Sequence, residues 1–119
     1  MKLLAAIAPL ALVACTTAQG EDTYRGVYES GFEVSNFTVC GSGETWWLET
    51  AGVDVWGDFR PAFNAEVVLV VKATVDHEPE EGFTGFGHLS AFPAQITVME
   101  IISHDADEAA IRACREGGA

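Results

Sequence analysis

The chain has 119 residues, a length that fits one small domain and not two. It carries 18 acidic against 6 basic residues, for a formal net charge of −12. A surface of this sign repels phosphate, which excludes nucleic acid as an expected partner and excludes charge-driven attachment to anionic lipid headgroups. Hydrophobic residues make up 49% of the chain, and this proportion argues against disorder.

The first 14 residues have the pattern of a secretory signal peptide. Lys2 supplies a short positive start, and residues 3–13 form an apolar segment. This segment is too short to cross a bilayer core, which requires roughly 20 helical residues. We therefore expect residues 1–14 to be absent from the mature protein.

The segment Leu12-Val13-Ala14-Cys15 resembles the lipobox of bacterial lipoproteins. The resemblance implies that the Cys15 sulfur receives a diacylglyceryl group, that cleavage makes Cys15 the first residue, and that its amine takes a fatty acid such as palmitate. One acyl chain binds membranes only marginally, whereas two or three hold firmly. In this family Asp after the cysteine favours the inner membrane, so Thr16 favours the outer membrane, facing the periplasm. Residues 15–22 are the expected lipidated tether.

Residues 23–119 are predicted to form a single β-rich domain. Segments rich in β-branched and aromatic residues predict extended structure at 23–40, with a bulge or bend at Gly31, and strands at 44–50, 65–75 and 92–103. Alternation in the second segment places Trp46 and Leu48 on one face and Trp47 on the other. Alternation in the third segment gives one fully apolar face, formed by Val67, Leu69, Val71, Ala73 and Val75. In the last segment it places Ile96, Val98 and Ile102 on one face and Met99 and Ile101 on the other.

A short helix is predicted at residues 106–115, near the end of the chain. Asp105 followed by Glu108 has the spacing of a capping box, and the segment is rich in alanine. Short strands and one small helix indicate a mainly β fold, for which we expect a small antiparallel β-barrel of the oligonucleotide/oligosaccharide-binding (OB) type. A small open sheet packed by the terminal helix is the alternative.

Three cysteines are present, and lipidation of Cys15 would leave Cys40 and Cys114 as a pair. In an oxidising compartment we expect these two to form a disulfide. It would close a loop of about 75 residues and stabilise the domain by roughly 4–5 kcal/mol in the chain-entropy model. Two unpaired buried thiols are the alternative.

Three further segments carry a second resemblance. The run Gly31-Phe32-Glu33-Val34-Ser35-x-Phe37-x-x-Cys40, then Trp46-Trp47-Leu48, and later Phe86-Gly87-His88-Leu89 look like a group of small bacterial envelope lipoproteins. Many members have Pro before the cysteine, where this chain has Val39. The resemblance implies an envelope lipoprotein and brings neither an activity nor a catalytic residue.

Two aromatic groups are candidate binding sites. Trp46 and Trp47 could offer a flat platform to a sugar ring or a partner, although tryptophan is as often buried in a core. Phe86 and His88 belong to an aromatic cluster around a Gly-rich turn that could contact a ligand. The alternative is that these aromatics only fix the loop to the barrel.

Catalytic and metal-binding patterns are absent from the sequence. No serine or cysteine has a nucleophile motif beside it, and His77, His88 and His104 lack zinc-ligand spacing. The acidic residues 76–81 lack the pattern of a calcium loop and are interpreted as a solvated loop. We therefore expect no cofactor, no metal and no catalytic residue.

The leading functional expectation is a lipid-anchored, non-catalytic interaction module that binds an envelope protein. A glycan-binding or small-molecule-binding module and a small envelope hydrolase are the alternatives. An interaction module predicts exposed apolar side chains. Glycan binding predicts a groove with a tryptophan beside polar groups, and a hydrolase predicts clustered titratable groups in a pocket.

Overall fold

A computed structural model describes residues 21–31, 33–53 and 66–117 of the chain. The predicted signal peptide, the lipidation site Cys15 and most of the predicted tether lie outside these residues. Within the described ranges, no helix is both long enough and apolar enough to span a bilayer.

Five strands and a short terminal helix make up the fold. The strands are β1 (Asp22–Gly31), β2 (Val34–Val39), β3 (Thr45–Thr50), β4 (Glu66–Asp76) and β5 (Gln95–Asp105), and the helix is α1 (Glu108–Arg115). The mainly β fold with a C-terminal helix that the sequence predicts is therefore confirmed.

The strands close into a ring in the order β1-β2-β3-β5-β4. The ring is closed, so the structure has the closed sheet that the sequence predicts and not the open sheet that is the alternative. Neighbouring strands in the ring are antiparallel except β3 and β5, which are parallel, so the sheet is mixed and the prediction of a fully antiparallel barrel is wrong for this pair. A closed ring of five strands cannot reverse direction at every step, so closure itself requires one parallel pair.

The core fills the inside of the ring and follows the predicted alternation of β3 and β4. Trp46 and Leu48 of β3 point inward, with exposures of 8% and 4%. From β4, the inward residues are Val67, Leu69, Val71 and Ala73, all buried. Burying apolar surface stabilises the fold by about 25 cal/mol per Å², so this alternation determines which face of each strand turns inward.

Strand β5 departs from simple alternation at two bulges. In the pairing with β4, Glu100 opposes Lys72 and Val98 opposes Ala73, so Met99 is an extra residue. Ile102 is a second extra residue, between Ile101 and Ser103. Each bulge reverses the faces that follow it. The predicted placement of Ile102 on the same face as Ile96 and Val98 is therefore wrong. Ile102 is 48% exposed, and Ile101 packs against the core in its place.

Helix α1 covers the outer face of β1 and β4. Val27 and Val68 oppose each other on these strands and point out of the ring, where Ala110 and Ile111 pack against them. The N-cap is Asp107, whose carboxylate accepts a hydrogen bond from the Ala109 amide at 3.1 Å. The predicted cap at Asp105 is therefore wrong by two residues.

A disulfide between Cys40 and Cys114 fastens α1 to the end of β2. The sulfur atoms are 2.01 Å apart, and Cys114 is fully buried. The predicted pairing is present in the structure. Beside it, the Gly41 amide donates to the Cys114 carbonyl, and the Arg115 guanidinium donates to Glu66 of β4.

Candidate functional site

Trp47 stands on the outer face of the ring, where the alternation of β3 directs it. Its neighbours across the sheet are Asn36 of β2 and Gln95 of β5. The indole N–H donates to the Glu49 carboxylate at 2.6 Å, and the residue is half-buried. Trp47 therefore marks the middle of the outer β2–β3 surface.

Trp46 lies inside the ring and presents no flat surface to a ligand. Its indole makes edge-to-face contacts with Tyr24 and with His77, at ring-centroid distances of 5.7 and 6.0 Å. The indole N–H donates to the Glu44 carboxylate at 2.6 Å. The core interpretation of Trp46 is therefore the one that the structure supports.

Residues 77–94, here called the β4–β5 loop, cover Trp47. The ring of Phe92 lies 5.5 Å from that of Trp47. Gly87 packs directly on the indole, since a Cβ atom there would come within 2.4 Å of it. Phe86 and Phe92 exchange both backbone hydrogen bonds, at 2.9 and 3.1 Å, and so close the base of the loop's tip, residues 86–92. The aromatics thus pack the loop against the barrel.

The tip of the loop is a strained turn that exposes a large apolar side chain. Residues His88–Ser90 form a single 3₁₀ turn, in which Leu89 and Ser90 have φ of 59° and 53°. This left-handed region costs L-residues roughly 1–2 kcal/mol each. Leu89 is nevertheless 84% exposed, and Phe83 of the same loop is 59% exposed. The loop therefore maintains an unfavourable backbone that directs an apolar group into water.

A side-chain contact connects the tip of the loop to the turn between β1 and β2. Nε2 of His88 lies 3.4 Å from Oε1 of Glu33, and both side chains are exposed. Glu33 also has a left-handed backbone, with φ of 57°. The loop therefore reaches over the β2–β3 surface as far as the β1–β2 turn.

A cleft of about 380 Å³ lies between the loop and the adjoining ends of β4 and β5. Its lining residues are Asp76, Glu80, Phe83, Gly85, Phe86, Gly87, Ser90 and Gln95. Of the candidate residues from the sequence, Phe86 lines this cleft, His88 lies at the loop tip and Trp47 lies under the loop. Trp46 is separate from them in the core.

Several residues of this site were not identified from the sequence. Glu33 and His88 are 55 positions apart in the printed chain, and nothing local to either indicates the contact. Asp76 and Glu80 were interpreted as part of a solvated acidic loop. The concentration of glycine near residue 87 was the one available signal, because close backbone packing often requires glycine. Within the described part of the chain, no group of three metal-ligating side chains occurs.

Comparison of the chain with protein-family models finds no match, and comparisons with curated proteins and with solved structures find no similar protein.

Proposed function

We propose that the protein is a lipid-anchored bacterial envelope lipoprotein that acts as a non-catalytic interaction module. It binds an envelope protein through the tip of the β4–β5 loop. The observation that carries this proposal is Leu89, an apolar side chain that is 84% exposed on a left-handed backbone. Strained backbone and exposed apolar groups both cost free energy, and both concentrate at binding sites.

The packing of the loop suits a binding role. Because Gly87 lies on Trp47 and Phe86 pairs with Phe92, the loop is ordered before any partner arrives. A preorganised surface loses little conformational entropy on association. Leu89 and Phe83 would then act as apolar anchors, which supply most of the free energy in many interfaces.

The proposed location rests on the N-terminal segment and is supported by the disulfide. The lipobox-like segment ending at Cys15 predicts a lipid anchor, and Thr16 favours the outer membrane with the domain facing the periplasm. Disulfides such as Cys40–Cys114 persist in oxidising compartments and are rare in the cytosol. An envelope location agrees with both features.

The interaction is tested by the variant Leu89→Asn. Asn tolerates the left-handed region, so we expect stability unchanged or raised by up to about 1 kcal/mol. A photo-crosslinking amino acid at Glu81, on the same loop, should capture one dominant envelope protein in living cells. The capture should disappear in Leu89→Asn, although this variant folds at least as well as the wild type.

The matched control places the crosslinker at Glu100, an exposed position on β5 away from the loop. We expect no capture of the same protein from this position. Equal capture from both positions, or capture that persists in Leu89→Asn, would contradict the proposal.

The lipid anchor has its own test in the variant Cys15→Ser. We expect this variant to lose membrane attachment or to remain unprocessed, as seen by fractionation and intact mass. Unchanged attachment together with an unchanged mature mass would contradict the anchor and leave the loop proposal in place.

A further inference from the structure

The cleft beside the loop combines negative charge with aromatic walls. Asp76, the last residue of β4, and Glu80 contribute two exposed carboxylates. Phe83 and Phe86 contribute aromatic rings. The Asp76 carboxylate accepts a hydrogen bond from the Glu78 amide at 2.9 Å, which holds it in place.

The backbone around the cleft is tightly fixed. A Cβ atom at Gly85 would lie 2.4 Å from the Ser90 carbonyl oxygen, so the two sides of the loop are in close contact there. Gln95 donates from its side-chain amide to Thr97 at 3.5 Å, and its amide oxygen remains as an acceptor. The polar groups of the cleft are therefore mainly acceptors, on a frame that is already ordered.

We infer that this cleft binds the guanidinium group of an arginine side chain presented by the partner protein. The inference rests on the proposed function and specifies the chemistry of the partner at the same site. Guanidinium is planar, stacks on aromatic rings and pairs with carboxylates through two parallel hydrogen bonds. An ammonium group has the charge without the flat face that Phe83 and Phe86 would contact.

Charge complementarity distinguishes this occupant from a sugar or a neutral group. The chain has 18 acidic and 6 basic residues, so its field attracts cations over distances of about a Debye length, roughly 8–10 Å at physiological salt. Arginine is also enriched at protein interfaces, where lysine is depleted. Leu89 would lie at the rim and contact apolar side chains flanking the arginine.

The test is an NMR titration of the full chain, purified in nonionic detergent. The probe is N-acetyl-arginine N-methylamide, and the matched neutral probe is N-acetyl-citrulline N-methylamide, which has nearly the same shape. We expect the arginine probe to shift the amide resonances of Gly85 and Gly87, with saturation at millimolar concentrations, and the citrulline probe to leave them unchanged. Equal shifts with both probes would overturn the inference.

A double variant tests the two carboxylates. Asp76→Asn with Glu80→Gln preserves shape and the turn acceptor, and we expect it to weaken arginine binding by about fivefold or more. The control Glu100→Gln with Glu116→Gln also removes two charges, both at exposed positions outside the cleft, and should leave the Kd unchanged. Equal weakening in the two variants would show a general field effect and overturn the site. A third probe, N-acetylglucosamine, would overturn the inference if it shifted these resonances and arginine did not.

Failure of this inference is distinguishable from failure of the proposed function. If crosslinking at Glu81 captures a partner that requires Leu89, and the arginine probe does not bind, the apolar interaction stands and the arginine site is wrong. If the arginine probe binds the cleft and no partner is captured, the ligand chemistry stands and the protein partner is wrong.

Discussion

Two outer faces of the ring are each covered by another segment of the chain, and the two segments are attached to the ring in different ways. On the β1–β4 face, α1 covers Val27 and Val68 and is bonded covalently through Cys114. On the β2–β3 face, the β4–β5 loop covers Trp47 through noncovalent packing. The first cover buries its apolar groups, whereas the second leaves Leu89 in water.

The difference separates an element that stabilises the fold from the element on which the proposed interaction rests. The helix face combines apolar burial, a capped N-terminus at Asp107 and a disulfide, and its backbone has ordinary helical geometry. The loop face contains residues with left-handed backbone at its tip. Binding loops are commonly less stable than the scaffold that carries them. The helix face therefore has the contacts that stabilise the fold, and the proposed interaction lies on the loop face.

The largest effect is expected from removing the disulfide. In Cys40→Ala with Cys114→Ala, the free energy of unfolding should fall by about 4 kcal/mol, because the unfolded chain regains the entropy of the open loop. Urea unfolding followed by tryptophan fluorescence measures the loss. The rate of amide hydrogen exchange should increase much more in α1 than at Phe86 and Phe92, because these two residues belong to the other face.

A double variant as stable as the oxidised wild type would contradict this separation. So would equal acceleration of exchange in α1 and in the loop, since the two covers would then open as one unit. Wild-type protein reduced with dithiothreitol serves as the control, because it keeps both cysteine side chains.

The next effect concerns the contact between Gly87 and Trp47. Gly87→Ala places a methyl group against the indole at a backbone of φ 73° and ψ −160°, a region nearly restricted to glycine. We expect a loss of about 2–3 kcal/mol in the free energy of unfolding and lifting of the loop from β3. Exposure of the indole is measured as a red shift of the Trp47 emission. The measurement uses a background with Trp46→Phe and Trp56→Phe, so that Trp47 is the tryptophan observed.

Gly82→Ala is the matched control in the same loop. Gly82 has φ of 94°, and a Cβ there meets nothing within 4 Å, so the variant keeps the backbone strain without the clash. We expect a loss of about 1 kcal/mol and no change in Trp47 fluorescence. Equal losses in the two variants would mean that the contact between Gly87 and Trp47 contributes nothing to the free energy of unfolding.

The sequence predicted the elements whose pattern is local. The period of two in β4 identifies its buried face, and the same period places Trp46 inside and Trp47 outside. The pairing of Cys40 with Cys114 follows once Cys15 is assigned to lipid. These predictions depend only on neighbouring residues or on counting cysteines.

The features that the sequence did not predict depend on distant contacts. The bulges at Met99 and Ile102 have no local signature, because an extra residue is defined only by the register with β4. The shift of the helix cap from Asp105 to Asp107 follows from the added length of β5, which runs to Asp105. Placement of the loop on Trp47 depends on residues some forty positions apart.

The smallest effect concerns the pH dependence of stability and is expected from Tyr24 of β1. Its ring contacts Trp46, which in turn contacts His77, the first residue of the loop. Burial raises the pKa of Tyr24 above its ordinary value of 10.0, and the nearby Asp22 carboxylate raises it further. The folded state therefore holds this proton at a pH where the unfolded chain releases it.

The sign of the pH effect follows from that difference in proton binding. Below pH 10.0 both states keep the phenol proton, and Tyr24 adds no pH dependence. As the pH rises from 10.0 toward the raised pKa of the folded state, the unfolded chain binds fewer protons and the free energy of unfolding falls. Plotted against pH, the free energies of unfolding of the wild type and of Tyr24→Phe should therefore run parallel below pH 10.0. Above pH 10.0 the two plots should converge or cross, because the wild type loses stability that the variant keeps. Curves that remain parallel across the whole range would show that the Tyr24 phenol has the same pKa in both states.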